Sequence, residues 1–154
     1  MISGDKMIKF NKINFQKIKQ RLPLTSQIFS RYSEEIIAVY LFGSLVKDNI
    51  KPLSDIDLAI LFNFKLTQTV MVDLENRIFI ELIRFLETEE IDGIVLNYQP
   101  ISRQFAVLKN KQILYCSDHK KRIDFETGVI LSYLDFKPYR EEFNREFVRA
   151  LGGR

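Results

Sequence analysis

The sequence predicts an α/β fold in which a small mixed β-sheet is flanked by helices. Short runs rich in β-branched and aromatic residues, at 36–42, 55–62, 91–96 and 112–116, are typical of buried strands. Longer stretches with helical spacing separate the later runs. The first two runs are joined too briefly for a full helical crossover, so the sheet is expected to be mixed rather than purely parallel.

Length and composition predict one domain, spanning residues 1–154. A chain of 154 residues with 46% hydrophobic content buries a sizeable core but has no room for a second domain. The net charge of +3, with acids and bases interspersed, gives no concentrated footprint for nucleic acid. Residues 1–9 are polar and unpatterned, and we expect them to be disordered.

Single copies of cysteine and histidine exclude two kinds of site. Cys116 alone cannot form an internal disulfide, which suits a reducing cytoplasm, and we expect it to be a small buried residue. His119 cannot build a zinc site with that cysteine alone.

No apolar run approaches membrane-spanning length, and the first residues lack the core of a signal peptide, so we expect a cytoplasmic protein.

In the first half of the chain, two short helices are expected before the first strand. Apolar residues from Phe10 to Leu22 recur at helical spacing, and Pro23 ends that pattern. Thr25 or Ser26 is expected to cap a second short helix. Residues 49–54, which include Pro52, are expected to form a loop.

In the second half, Thr67 is expected to cap a long helix ending near Thr88 that packs on the sheet. Its apolar face is predicted to comprise Val70, Met71, Leu74, Ile78, Leu82, Phe85 and Leu86, and not Asp73, Glu75, Arg77 or Arg84. Pro100 suits the first turn of a short helix before the fourth strand.

The C-terminal region 118–154 is predicted to form two helices that pack on the core. The first is expected to run from about His119 to Leu134. An aromatic stripe lines the second, and we assign it to intramolecular core rather than to a docking face. The stripe comprises Phe136, Tyr139, Phe143, Phe147, Val148 and Leu151.

The candidate site begins where the first strand ends. Gly43 tolerates backbone angles closed to other residues and lets a ligand approach the main chain. Ser44 follows where a helix would begin, and the N–H groups of such a turn, with the serine hydroxyl, can hold phosphate oxygens. Asp55 and Asp57 open the second strand and, because side chains alternate along a strand, point the same way.

Two like charges at the head of a buried strand call for an explanation. Without a cation each carboxylate raises the pKa of the other, whereas Mg²⁺ converts the repulsion into ligation. A structural alternative is that Asp55 caps a turn and Asp57 pairs with Lys47 or Lys51. A third carboxylate, Asp92, opens a later strand, and Gly93 beside it either admits metal or substrate or marks a bulge.

These residues together resemble the signature of the polymerase-beta-type nucleotidyltransferase superfamily, and in this compact form its minimal nucleotidyltransferase branch. The resemblance consists of Gly43-Ser44, ten intervening residues and Asp55-Ile56-Asp57, followed by Asp92 in Ile91-Asp92-Gly93-Ile94-Val95. It continues through 97–100 and 112–115. The family turn usually carries an arginine and a glycine where this chain has Lys47 and Asp48. A lysine meets phosphate as a point charge rather than a bidentate fork.

The resemblance implies an activity and a set of site residues. Asp55, Asp57 and Asp92 would be catalytic and would bind two Mg²⁺ ions, and Gly43, Ser44 and Lys47 would bind the phosphates of ATP. An acceptor hydroxyl would attack the α-phosphorus and release pyrophosphate.

The minimal branch also resembles antitoxins paired with a helical HEPN-type RNase toxin, which they silence by transferring AMP to a tyrosine. The expected partner is therefore such a toxin, encoded nearby. We expect this chain neither to associate with a membrane nor to bind nucleic acid directly. Two alternatives remain: a non-catalytic binding antitoxin or regulatory subunit, and transfer to a small molecule such as an aminoglycoside, which would need an acidic pocket.

Overall fold

The computed structural model describes residues 15–46 and 55–152 of the chain. The helices are α1 (Phe15–Arg21), α2 (Ser26–Ser30), α3 (Gln68–Leu86), α4 (Ile101–Lys109) and α5 (His119–Gly152). The strands are β1 (Ile36–Phe42), β2 (Ile56–Phe62), β3 (Ile91–Val95) and β4 (Gln112–Cys116). Single 3-10 turns occupy Leu22–Thr25, Gly43–Leu45 and Leu96–Tyr98.

The four strands form one mixed sheet, which confirms the predicted fold class. Their order is β3-β2-β1-β4, with β1 antiparallel to both β2 and β4 and with β2 parallel to β3. The parallel pair is joined by α3, the kind of helical crossover that parallel strands require. Consequently β2 and β3 begin at the same edge of the sheet, where β1 ends.

The core has two halves, one on each face of the sheet. On one face, alternate residues of β1 and β2 pack against α1, α2 and α3; this half includes Val39, Leu58 and Ile78. On the other face, α4 and the first part of α5 cover the sheet, with Tyr40 and Val129 among the buried residues. The two central strands, β1 and β2, are buried on both faces because helices cover each side, which explains their nearly continuous apolar sequences.

A buried ionic cluster ties α5 to the sheet. The carboxylate of Glu126 accepts hydrogen bonds from Tyr40 Oη (3.1 Å) and Arg122 Nη1 (2.6 Å) and pairs with Lys111 Nζ at 2.9 Å. Burial alone would raise the pKa of Glu126, but the hydrogen bonds and charges of Lys111 and Arg122 outweigh it and lower this pKa. Because the group is buried and paired, it fixes where α5 crosses the sheet.

Several predicted elements are confirmed. The hydroxyl of Thr67 accepts a hydrogen bond from the N–H of Val70 and caps α3. The short helix α4 forms as predicted, with Pro100 as its N-cap, one position before the first turn in which it was expected. The short helix α2 forms, although neither Thr25 nor Ser26 caps it through a side chain.

The predicted inner face of α3 was wrong at two positions. Val70 is exposed, and Glu75 is half-buried rather than outside the inner face. Glu75 lies four residues after buried Met71, so helical spacing brings its side chain to the flank of the buried stripe.

Two predictions about the C-terminal region are wrong. A single helix runs from His119 to Gly152 through Pro138, whose ring nitrogen donates no hydrogen bond. The aromatic stripe is not core: Phe136, Tyr139, Phe143 and Phe147 are exposed. Among the described residues, it is the first part of α5 that packs on the domain, and there Tyr133 stacks on Phe105 of α4 with ring centroids 3.8 Å apart.

Other predictions lie outside the described residues. They are the disorder of residues 1–9, the beginning of the first helix at Phe10, and the loop at 49–54. Lys47 and Asp48 also lie outside the described part of the chain.

Candidate active site

The turn after β1 carries the one glycine of the described chain with a positive φ, Gly43 at +80°. A Cβ added to Gly43 would lie only 2.2 Å from Oδ2 of Asp57, so the main chain and the carboxylate approach at a distance that only glycine permits. The turn continues through Ser44 to Leu45 as a single 3-10 turn rather than the beginning of a longer helix. The Gly-Ser turn and the second aspartate of the motif therefore lie together.

Asp57 and Asp92 are direct neighbours on parallel strands. Asp57 pairs with Asp92 in the register of β2 and β3, and it also pairs with Phe42 at the end of β1. Residues paired across a sheet point to the same face, so the two carboxylates project side by side. Burial raises the pKa of Asp57 above its ordinary 3.8, the charges of Asp92 and Asp55 raise it further, and Arg103 opposes them.

Asp55 sits at the rim of this group. It is exposed, immediately before β2, and hydrogen bonding to Asp55 raises the pKa of the Glu90 carboxyl. The backbone N–H of Ile56 bonds the carbonyl of Glu90 at 2.8 Å, which holds the beginning of β2 beside the residue that precedes β3. Asp55 therefore faces a second acid in addition to Asp57.

Sequence reasoning missed two charged residues near the carboxylates. Arg103, in the first half of α4, is the cation whose charge lowers the pKa of Asp57. Glu75 has a buried Oε2 to which none of the described residues donates a hydrogen bond, and burial followed by the charge of Asp92 raises the pKa of this carboxyl. Neither residue belongs to a local motif, because helices remote in sequence bring both to the site.

Gly93, next to Asp92, serves packing. A Cβ there would lie 1.6 Å from the ring of Phe79, so the aromatic side chain of α3 occupies the space that the missing side chain leaves. The expectation that this glycine admits metal or substrate, or marks a bulge, was therefore wrong. The ordinary parallel pairing of Gly93 with Leu58 in β2 agrees with this packing role.

The arrangement fits a divalent cation only if the substrate supplies further ligands. Among residues 15–46 and 55–152, no three Asp, Glu, His or Cys side chains converge closely enough to hold a metal ion by themselves. Mg²⁺ in enzymes is commonly held by one or two carboxylates together with water and substrate phosphates. The mutual repulsion that raises the pKa of Asp57 is what a bound cation would relieve.

An open cavity of about 320 Å³ lies beside the turn, bounded by Leu22, Leu41, Leu45 and Val46, with Lys19 and Gln112 among its polar residues. Its described walls carry no carboxylate. The described part of its lining therefore does not match the acidic pocket that transfer to an aminoglycoside would require. No helix in the described part of the chain is both long and apolar enough to cross a membrane.

Sheet topology and the Gly43 turn define the class of protein: an α/β domain with the nucleotidyltransferase fold. The family model for polymerase beta nucleotidyltransferases matches residues 25–120, and the chain belongs to that family. No curated protein matches it.

Solved structures share the fold at low identity. A toxin–antitoxin structure with AMP-PNP has a TM-score of 0.64 and 18% identity, covering 81% of this chain and 97% of that one. An MNT antitoxin bound to a tri-AMPylated HEPN toxin from Shewanella oneidensis has a TM-score of 0.58 and 18% identity, covering 82% and 98%. A chain described as a minimal nucleotidyltransferase has a TM-score of 0.52 and 19% identity, covering 66% and 96%.

Proposed function

We propose that this chain is a Mg²⁺-dependent nucleotidyltransferase that transfers AMP from ATP to a tyrosine hydroxyl of a HEPN-type toxin, and thereby acts as its antitoxin in the cytoplasm. One observation carries the proposal: Asp57 lies beside both the Gly43 turn and Asp92, so the turn that we propose binds phosphate is next to the paired carboxylates. Family membership supports the reaction type.

The proposed reaction forms one bond and breaks one. The tyrosine oxygen attacks the α-phosphorus of ATP, the bond from that phosphorus to the bridging oxygen breaks, and pyrophosphate leaves. When bound, Mg²⁺ would neutralise phosphate charge and lower the pKa of the attacking hydroxyl. Asp55 and Asp57 would hold the ion that accompanies the triphosphate, and Asp57 and Asp92 a second ion beside the acceptor.

The chain's other residues position the substrate. Backbone N–H groups of the Gly43-Ser44 turn, and the Ser44 hydroxyl, would donate to the outer phosphates. Lys47 would add a positive charge to the same phosphates. Asp92 would take the hydroxyl proton or hold the ion that favours its loss, so its charge matters most when the nucleophile forms.

A protein acceptor is supported by the descriptions of the structural neighbours. One was solved with AMP-PNP, and another is an MNT antitoxin in complex with a HEPN toxin carrying AMP groups. Because identity to them is below 25%, these likenesses show a shared fold, and the nucleotide, acceptor and partner are part of the proposal.

Isothermal titration calorimetry with ATP and Mg²⁺ tests the nucleotide site. Wild type should bind, Asp57→Asn should not, and Asp73→Asn, an exposed position on α3, should behave as wild type. Co-expression with the helical partner should add the mass of AMP to it only when Asp57 is intact. A folded chain that binds the partner but neither binds ATP nor modifies the partner would support the non-catalytic antitoxin instead.

A further inference from the structure

The exposed stripe of α5, comprising Phe136, Tyr139, Phe143, Phe147, Val148 and Leu151, is the largest departure from the expected core. The exposed fractions of these side chains run from 54% to 72%. A helix segment of this length, 136–151, is marginal in water on its own and gains stability by packing an apolar face. The stripe therefore has the properties of a surface that another helix covers.

The stripe continues the face that packs on the domain. At about 100° per residue, Phe136, Phe143 and Phe147 fall on the same side of α5 as Phe125 and Val129, which pack against the sheet side. The apolar surface therefore runs without a change of side from the packed part of the helix into the exposed part.

We propose that a second copy of this chain covers the stripe, with the two α5 helices antiparallel. Each domain lies on the same side of its helix as the stripe, so a parallel copy would force two domains into one space. An antiparallel copy places the domains at opposite ends. Such a pairing is isologous, the commonest arrangement in soluble oligomers.

The exposed area suits a dimer. Aromatic side chains each offer roughly 150–250 Å². The exposed parts of Phe136, Tyr139, Phe143 and Phe147 thus provide about 500 Å², and Leu151 extends this surface to about 600 Å² per copy, whereas Val148 lies toward the other side of the helix. Two copies would bury about 1,200 Å² together, the lower end of the range for specific, stable interfaces.

The charges around the stripe also favour a second copy. The segment from Asp135 to Arg149 contains Asp135, Glu141, Glu142 and Glu146 against Lys137, Arg140, Arg145 and Arg149, so its formal charge is zero. Two copies do not repel each other. A surface that binds nucleic acid or an anionic membrane carries a net positive charge, which this segment lacks.

Light scattering coupled to size-exclusion chromatography tests the proposal on the full chain. Over micromolar to high-micromolar concentrations, wild type should reach twice the 18.2 kDa chain mass. The double variant Phe143→Glu with Phe147→Glu should raise the dimer dissociation constant by a factor on the order of 100 or more, because it places charges at the centre of the interface. Leu134→Glu, on the opposite side of the same helix, should leave the dimer unchanged.

Hydrogen exchange gives a second reading that needs no variant. The amides of residues 136–151 in wild type should become more protected as concentration rises. A wild-type chain that stays at one chain mass throughout, with concentration-independent exchange in this segment, would overturn the proposal. In that case a different molecule, such as the partner protein, would cover the stripe. The catalytic proposal does not depend on the outcome.

Discussion

The missing side chain of Gly43 makes room for the carboxylate of Asp57: a Cβ at position 43 would lie 2.2 Å from Oδ2 of Asp57. Gly43→Ala should therefore both strain a backbone with φ +80° and displace the carboxylate. We expect a loss of about 1–2 kcal/mol in unfolding free energy and at least a tenfold weaker affinity for ATP with Mg²⁺. Denaturant titration and calorimetry measure the two quantities.

Gly128→Ala is the matched control, because a Cβ there meets nothing within 4 Å. Gly128 lies inside α5, so alanine should stabilise the protein by about 0.5–1 kcal/mol without changing nucleotide affinity. Equal ATP affinity in Gly43→Ala and wild type would show that the turn does not position Asp57 for nucleotide.

Asp57→Asn should stabilise the metal-free protein at neutral pH. The pKa of Asp57 is raised in the folded state, so its ionised form is less favourable there than in the unfolded chain. Wild-type stability should therefore fall as pH rises from below 3.8 through the raised pKa, and the melting-temperature advantage of the variant should grow over the same window. Mg²⁺ with ATP should raise the melting temperature of wild type alone. A variant that melts well below wild type at pH 7 would make the carboxylate structural.

Asp92→Asn should separate binding from chemistry. Asp92 is exposed on β3 and pairs with Asp57 of β2. The Gly43 turn follows β1, which is not a neighbour of β3 in the sheet. Transfer in a single turnover should fall by a factor on the order of a hundred or more while ATP affinity changes little. If affinity and transfer fall equally, the division of labour between the two carboxylates is wrong.

Glu126→Gln should destabilise the fold without touching the site. It would leave the partly buried Arg122 and Lys111 without their carboxylate, at a cost of about 3 kcal/mol. Because the pKa of Glu126 is lowered below 4.5, its contribution should be present above pH 4.5 and lost as pH falls through the folded value. Denaturant titration at several pH values measures this, with Glu141→Gln on the exposed part of α5 as control. If the unfolding free energy lost in Glu126→Gln does not become smaller at acidic pH, the stabilisation does not come from the ionised carboxylate.

Features that depend on residues close together in the chain were predicted correctly from the sequence. Strand runs, the Thr67 cap and the position of Gly43 depend on neighbours in the chain, and the structure contains each. The packing of Phe79 into the space at Gly93 could not be predicted, because it depends on where α3 crosses β3. Glu75 and Arg103 approach the carboxylates for the same reason.

The exposed stripe shows a different limit of sequence reasoning. Spacing at Phe136, Phe143 and Phe147 predicted correctly that this segment is helical with one apolar face. Periodicity does not say what covers that face, and assigning it to the same domain was wrong.

Transfer from labelled ATP tests the central claim most directly. The purified chain, Mg²⁺ and the helical partner would be incubated with ATP labelled at either the α- or the γ-phosphorus. We predict that the partner acquires the α-label on tyrosine, that the γ-label leaves as pyrophosphate, and that Asp57→Asn transfers neither. A partner labelled from the γ-position, or left unlabelled by a folded chain that binds both ATP and the partner, would contradict the proposed reaction.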